Sequence, residues 1–188
     1  MPPKKQPKPR KPRKNKYLKI VEDTIKKYDG KKFHVLEQLV DGRFVYIYGK
    51  GRVPKIGKWQ TRKGPLQLCS SGTLHYCNMY QVVHWFDSAG HVLFEVETEG
   101  PFISDENKFG CLKRRHIKEI GKISGHSLYV VLRWLGNEGV GKEYKQYANY
   151  LRKIYLQAYN KLLSHDASIS ILFLHMIEQP FEIFRNKK

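Results

Sequence analysis

The spacing of apolar residues changes once along the chain, and this change constrains the fold more than any other feature. Between residues 33 and 121 apolar and polar side chains tend to alternate, as in Val92, Phe94 and Val96, which is the pattern of a strand with one buried face. Between residues 126 and 180 apolar residues recur every three or four positions, as in amphipathic helices. The sequence therefore predicts an α+β fold, with an antiparallel β-rich half (33–121) followed by a helical half (126–180).

Local signals place the strands. Phe33–Val40 and Arg43–Tyr48 flank Asp41-Gly42, a pair typical of a two-residue hairpin turn of the primed type. Asn78 is a good N-cap for a helix over Met79–Phe86, because its side chain can accept a hydrogen bond from an amide of the first turn. The other predicted strands are Leu66–Cys69, His91–Glu99, Phe109–Arg115 and Ile117–Ile120.

Four further segments are helical or ambiguous. Tyr17–Tyr28 is predicted as a short helix that ends at a following Asp-Gly pair. Leu128–Leu135 fits a strand or a buried helix equally well. Lys142–Leu163 follows the pattern of a long amphipathic helix. Asp166–Ile177 is very apolar and predicts either a buried helix or an oligomer contact.

The first 16 residues differ from the rest of the chain. They hold eight Lys or Arg residues, five of the nine prolines and no acidic residue. Proline lacks the amide donor and fixes φ, so this segment suits neither helix nor sheet, and like charges keep it extended. We therefore expect a disordered basic arm over residues 1–16 and one α+β domain over residues 17–188.

The charge balance indicates a polyanionic partner. The formal net charge is +18, and outside the arm 27 Lys and Arg still face 17 Asp and Glu. Such an excess is typical of proteins that contact nucleic acid, DNA or RNA, through its phosphates without reading bases. The predicted contacts are Lys4, Lys5, Lys8, Arg10, Lys11, Arg13, Lys14, Lys16, Lys50, Arg52, Lys55, Lys58, Arg62, Lys113, Arg114 and Arg115.

Other features narrow the class of protein. No run of about 18 apolar residues suggests a membrane span, and no apolar segment follows the basic start as in a secretory signal. Three cysteines are too few for a disulfide scaffold. We expect an intracellular protein, in the cytoplasm or the nucleus or nucleoid, or one carried in a virion. No cofactor is predicted.

The stretch 66–100 is the densest in reactive side chains. Zinc ligand types are present, but the spacing Cys-x5-His-x-Cys around His75 is not that of a standard finger or ribbon. A cysteine nucleophile would need a nearby base, and no known local signature surrounds either cysteine. Buried cysteines explain the pattern equally well, so we assign neither a metal nor a catalytic residue. The residues concerned are Cys69, His75, Cys77 and Cys111, with His84 or His91.

Three glutamates alternate along one predicted strand. Glu95, Glu97 and Glu99 share a face. This pattern resembles the Glu-x-Glu strand of ADP-ribosyltransferases, which implies catalysis by Glu97 with Glu95. Solvated charges that balance a basic neighbouring strand are the alternative interpretation, and we favour a non-catalytic protein. Arg43 or Arg52 and Ser70-Ser71 are the positions that would complete the enzyme pattern.

Four segments also resemble an uncharacterised domain of phage and bacterial proteins, which has a Cys-x-x-Gly-x-His-x-Cys core and a Glu-Val-Glu strand. They are residues 55–59, 68–77, 93–100 and 113–120. His75 lies one residue further from Gly72 than in that pattern. The resemblance implies a viral or mobile-element origin and no particular activity. A viral structural or capsid-associated protein, forming homo- or hetero-oligomers through its C-terminal helices, is therefore a further alternative to nucleic-acid binding.

Overall fold

The computed structural model describes residues 15–47, 53 and 55–186. Within this part of the chain an antiparallel sheet of six strands is followed by helices, so the predicted α+β class is confirmed. The elements are α1 (Lys16–Tyr28), β1 (Lys32–Gln38), β2 (Phe44–Val45), β3 (Gln60–Thr61), β4 (Leu74–Asn78), β5 (His91–Ser104), β6 (Phe109–Lys122), α2 (Gly125–Leu135), α3 (Lys145–Leu162), α4 (His165–Glu178) and α5 (Phe181–Arg185), with 3₁₀ turns at Val82–Trp85 and Lys142–Tyr144.

Helix α1 starts within the predicted arm, so the disorder predicted over residues 1–16 is wrong at Asn15 and Lys16. Lys16 is its first residue, and the Asn15 side chain caps it by accepting a hydrogen bond from the Tyr17 amide at 3.1 Å. Such a cap satisfies an amide that has no partner within the helix. The other residues of the arm, 1–14, lie outside the described residues.

Four strands form a closed circuit of hydrogen-bonded neighbours. Strand β5 pairs with β1 and β6, and β4 pairs with the same two strands. Strands β2 and β3 extend the sheet at β1 and β6. Leu74, Tyr76, Val96 and Cys111, which come from β4, β5 and β6, form a buried cluster. The circuit therefore fixes β4 against β6, which is where the candidate site lies.

The helices cover the sheet with a larger core. Phe33, Val35 and Leu93 face the helices and are 0–2% exposed. Helix α4 is buried over Ser168–Met176. The Ser170 hydroxyl within it donates to the Tyr80 carbonyl and accepts from the Val83 amide, both at 2.9 Å, so this polar group is satisfied inside the core. Of the two predictions for Asp166–Ile177, the buried helix is confirmed.

Three local predictions need correction. The β1–β2 hairpin is confirmed, but only Gly42 has a positive φ, so the connection is a turn over residues 39–42 rather than a primed Asp41-Gly42 turn. Leu66–Cys69 is not a strand, because Cys69 adopts a left-handed φ of 61°. The helix predicted over Met79–Phe86 is a single 3₁₀ turn, since β4 continues to Asn78 and the chain is extended again at Phe86.

The remaining elements agree more closely with the sequence predictions. The two strands predicted between residues 109 and 120 are one strand, β6. The ambiguous segment Leu128–Leu135 belongs to helix α2, and Lys142–Leu163 is helix α3 preceded by a 3₁₀ turn. Among the described residues, no helix is long and apolar enough to cross a membrane.

Gly121 is a position where only glycine fits. It lies beside a register shift between β5 and β6 and has a φ of 137°. A Cβ atom there would lie 2.8 Å from Cγ2 of Ile177 on α4. We expect Gly121→Ala to lower the free energy of unfolding by about 2 kcal/mol through backbone strain and overpacking. Urea unfolding should show this loss, whereas Gly139→Ala, where a Cβ meets nothing within 4 Å, should change little; equal effects would contradict the explanation.

Candidate anion-binding cavity

A cavity of about 720 Å³ lies beside β3, β4 and β6. Cavities of several hundred Å³ are the usual size for small-molecule sites. Three cationic side chains line it: Arg62 after β3, Lys108 before β6 and Arg114 within β6. No Asp or Glu of the described residues is among its lining residues. The cavity is therefore cationic, and no carboxylate in its wall offsets the charge.

Arg114 is the central group of this cavity. Its side chain is only 2% exposed. Nη1 donates to the His75 carbonyl, and Nη2 donates to Oε1 of Gln60 at 3.3 Å. Nε has no hydrogen-bond partner among the described residues, and the same holds for the buried Nε of Arg62. An unsatisfied buried donor is costly, so the wall of the cavity holds guanidinium groups with unused hydrogen-bonding capacity.

The charge on Arg114 also lacks an acidic partner. No carboxylate of the described residues lies within 4.0 Å of its guanidinium. Burial lowers the pKa of Arg114 to about 10, and the nearby Arg62 charge contributes in the same direction. Arg114 nevertheless stays a cation at neutral pH. A buried, unpaired charge is expensive, so this arrangement favours the binding of an anion.

Two histidines lie beside Arg114. Nδ1 of His34 and Nε2 of His116 are 3.0 Å apart, so an N–H of one ring donates a hydrogen bond to the ring nitrogen of the other. Burial, the Arg114 charge and the neighbouring ring hold the pKa of His34 well below 6.5. Burial and Arg114 lower the pKa of His116 to about 3. Both rings are therefore neutral at pH 7, and the positive charge of the cavity comes from Arg and Lys.

The turn before β4 brings further polar groups to the cavity. Lys108 Nζ donates to Sγ of Cys69 at 2.8 Å, and the Cys69 amide donates to Nε2 of His75 at 3.3 Å. Burial, Lys108 and Arg114 lower the pKa of His75. Ser70 and Ser71 line the same wall. Residues from the reactive stretch noted in the sequence thus meet the basic residues at one place.

The predicted basic cluster on β6 is divided between two environments. Whereas Arg114 points into the cavity, Lys113 and Arg115 lie over the Trp59 ring, 4.5 and 4.7 Å from its centroid. Lys113 forms an ion pair with Glu99, and Arg115 with Glu97. Adjacent residues of a strand point to opposite faces, which explains the division.

Three other predicted contacts, Lys16, Lys55 and Lys58, are not among the residues that line the cavity. Lys55 and Lys58 are exposed in the segment before β3, and Lys16 lies over the Tyr17 ring at the start of α1. The contacts predicted outside the described residues are Lys4, Lys5, Lys8, Arg10, Lys11, Arg13, Lys14, Lys50 and Arg52.

The candidate metal ligands do not converge. Cys77 is buried in the main core, and Cys111 in the smaller cluster, where burial raises the pKa of both thiols. Cys69 is exposed. Among the described residues, no group of three or more His, Cys, Asp or Glu side chains is placed to hold a metal ion.

The glutamates of β5 face cations rather than the cavity. Glu95 pairs with Lys31 at 3.0 Å, while Glu97 and Glu99 pair with Arg115 and Lys113. None of the three lines the cavity. This arrangement matches the interpretation that the glutamates balance a basic neighbouring strand.

Sequence reasoning missed three residues of the site: Lys108, His34 and His116. Lys108 is one of many lysines and lies in a short β5–β6 connection. The histidines are in separate strands, 82 positions apart. One signal was available for His34, which lies between Phe33 and Val35 in an apolar strand, where a histidine needs a hydrogen-bond partner; the charged neighbours of His116 give no such signal.

Comparison of the sequence and the structure with protein-family models, curated proteins and solved structures finds no match. The chemistry of the cavity and the charge of the chain are therefore the features that indicate a function.

Proposed function

We propose that this protein binds nucleic acid non-catalytically through its phosphate groups, and that the cavity around Arg114 receives one of those phosphates. One observation carries the proposal: a buried guanidinium without an acidic partner faces a cavity that has no carboxylate among its described lining residues. Arginine binds phosphate well because its planar donors match the phosphate oxygens.

The charge of the whole chain supports a polymeric rather than a small partner. A net charge of +18 exceeds what one phosphate group needs. Exposed Lys55 and Lys58, with the basic residues of the arm, can contact further phosphates along a strand and release counterions. Lys113 and Arg115 contribute less, because Glu99 and Glu97 already neutralise them.

The proposal is tested by measuring the affinity of full-length protein for single-stranded and duplex DNA and RNA over a salt series. Wild-type protein should show a steep negative slope of log K against log salt. Arg114→Gln should weaken binding about tenfold and reduce the slope by about one unit. Arg115→Gln is the matched control, because its guanidinium on the same strand is already paired.

Two outcomes would contradict the proposal. Weak, salt-independent binding by the wild-type protein would exclude electrostatic recognition of a polyanion. Equal losses in Arg114→Gln and Arg115→Gln would show that only total charge matters and that the cavity receives no phosphate. The ADP-ribosyltransferase-like and viral structural alternatives stay predictions.

A further inference from the structure

Arg114 is the least exposed of the cations that line the cavity. It is 2% exposed, whereas Arg62 and Lys108 are partly exposed. A ligand atom must therefore enter the cavity to reach the guanidinium of Arg114. This requirement discriminates between kinds of phosphate.

An internal phosphodiester is a poor fit to such a position. It carries a sugar on each side and has only two non-bridging oxygens, so a buried donor is reached only if both neighbouring sugars enter. A terminal phosphate has one ester bond and three free oxygens, and it projects from the end of the molecule. Geometry alone therefore favours a chain end over the middle of a strand.

The charge of the cavity also favours a terminal phosphate over an internal phosphodiester. A phosphomonoester carries between one and a half and two negative charges near pH 7, whereas a diester carries one. Arg62, Lys108 and Arg114 supply three positive charges around one space. Because His34 and His116 are neutral, they add hydrogen-bonding groups but no charge. Three cations suit a doubly charged group better than a singly charged one.

The remaining lining is suited to a nucleotide. The volume of about 720 Å³ exceeds what a phosphate needs and is sufficient for an attached sugar and base. Tyr46 and Trp85 supply aromatic surface, and Gln60 and Asn107 are further polar lining residues. Aromatic surface next to cations is a common way to hold a base beside its phosphate.

We infer that the cavity is a site for a terminal nucleoside phosphate, the phosphorylated end of a nucleic-acid chain or a free mononucleotide. The inference rests on the proposed function, which requires only that some phosphate enters the cavity. It adds that the phosphate is a monoester.

The test compares single-stranded oligonucleotides that carry equal numbers of phosphates. One has a 5′-phosphate, one a 3′-phosphate, and the third has hydroxyl ends and is one nucleotide longer. Binding to full-length protein is measured by fluorescence anisotropy. At least one phosphorylated end should bind about tenfold more tightly than the hydroxyl-ended strand. Arg114→Gln should abolish the difference, whereas Arg115→Gln should retain it.

A second variant keeps the test decisive if Arg114→Gln does not fold. Lys108 is more accessible than Arg114, so Lys108→Gln should fold normally and reduce the preference for a phosphorylated end several-fold. Thermal unfolding of each variant shows whether it is folded. Adenosine monophosphate as competitor distinguishes the two sources of the ligand: displacement at a concentration similar to that of the oligonucleotide indicates a mononucleotide site, and displacement only at a large excess indicates a site for a strand end.

The outcomes separate this inference from the proposed function. Equal binding of all three strands, with Arg114→Gln weakened, would overturn the terminal-phosphate inference and leave phosphate binding intact. Binding of the mononucleotide alone would support the inference and overturn nucleic-acid binding. No binding of any probe would overturn both.

Discussion

Lowering the pH from 7 to 5 should reduce the free energy of unfolding by about 2 kcal/mol through His116, and His34 should add to this loss in the same direction. Both rings are neutral in the folded protein because burial and the Arg114 charge lower their pKa values, that of His116 to about 3. In the unfolded chain the same rings titrate near pH 6.5.

The sign of this change in the free energy of unfolding follows from proton uptake by the unfolded chain. Below pH 6.5 the unfolded chain binds protons at both rings, while the folded protein does not bind one at His116 until about pH 3. The stability contributed by the pair is therefore complete above pH 6.5 and is lost as the pH falls toward 3. The charge of Arg114 reinforces this sign, because it repels a proton on either ring. The other neighbours are the aromatic rings of Tyr46, beside His34, and Phe94, beside His116.

Urea unfolding at pH 7, 6 and 5 measures this effect before most carboxylates titrate. His116→Gln should reduce the loss by about 2 kcal/mol, because its titrating ring is gone and glutamine can still hydrogen-bond to His34. His165→Gln is the control, because His165 is exposed. A stability that is flat from pH 7 to 5, or equal slopes in both variants, would show that the pair does not control the acid response.

The fold class could be predicted because the spacing of apolar residues, alternating in strands and recurring every three or four positions in helices, is a local property of the sequence. Helix α1 was predicted from the Asp29-Gly30 pair that ends it, and the buried α4 from its run of apolar residues; the caps at Asn15 and Ser164 are seen only in the structure. The prediction of a strand over Leu66–Cys69 was wrong, also for a local reason. An apolar, extended-looking segment is interrupted by the left-handed conformation of Cys69, which sequence does not signal at a residue other than glycine.

The candidate site was predicted only in part, because it depends on register. Arg62 and Arg114 were selected for their charge, yet charge alone also selected Lys113 and Arg115. The difference is which face of β6 each side chain occupies and whether a glutamate on β5 opposes it, as in the pairings Glu97↔Arg115 and Glu99↔Lys113. A one-residue shift would exchange the two sets.

Replacing Arg114 with methionine should separate stability from binding. Without ligand, Arg114→Met should raise the free energy of unfolding by about 1 to 2 kcal/mol, because it removes a buried charge without an acidic partner and keeps an unbranched chain of similar length. The expected gain is the net effect, because the lost hydrogen bonds to the His75 carbonyl and to Oε1 of Gln60 offset part of it. A residue retained at a cost to stability is expected where function needs it.

With ligand, the order should reverse. Inorganic phosphate at about 100 times its dissociation constant would stabilise the wild-type protein by about 2.7 kcal/mol and Arg114→Met by almost nothing from binding. Thermal unfolding in phosphate and in chloride at equal ionic strength measures both effects, and any general salting-out by phosphate is common to the two proteins. Arg115→Met should keep the phosphate-dependent gain, since Arg115 faces Glu97 rather than the cavity. If Arg114→Met is less stable than wild type without phosphate and gains equally from it, Arg114 is a structural group and the anion binds elsewhere.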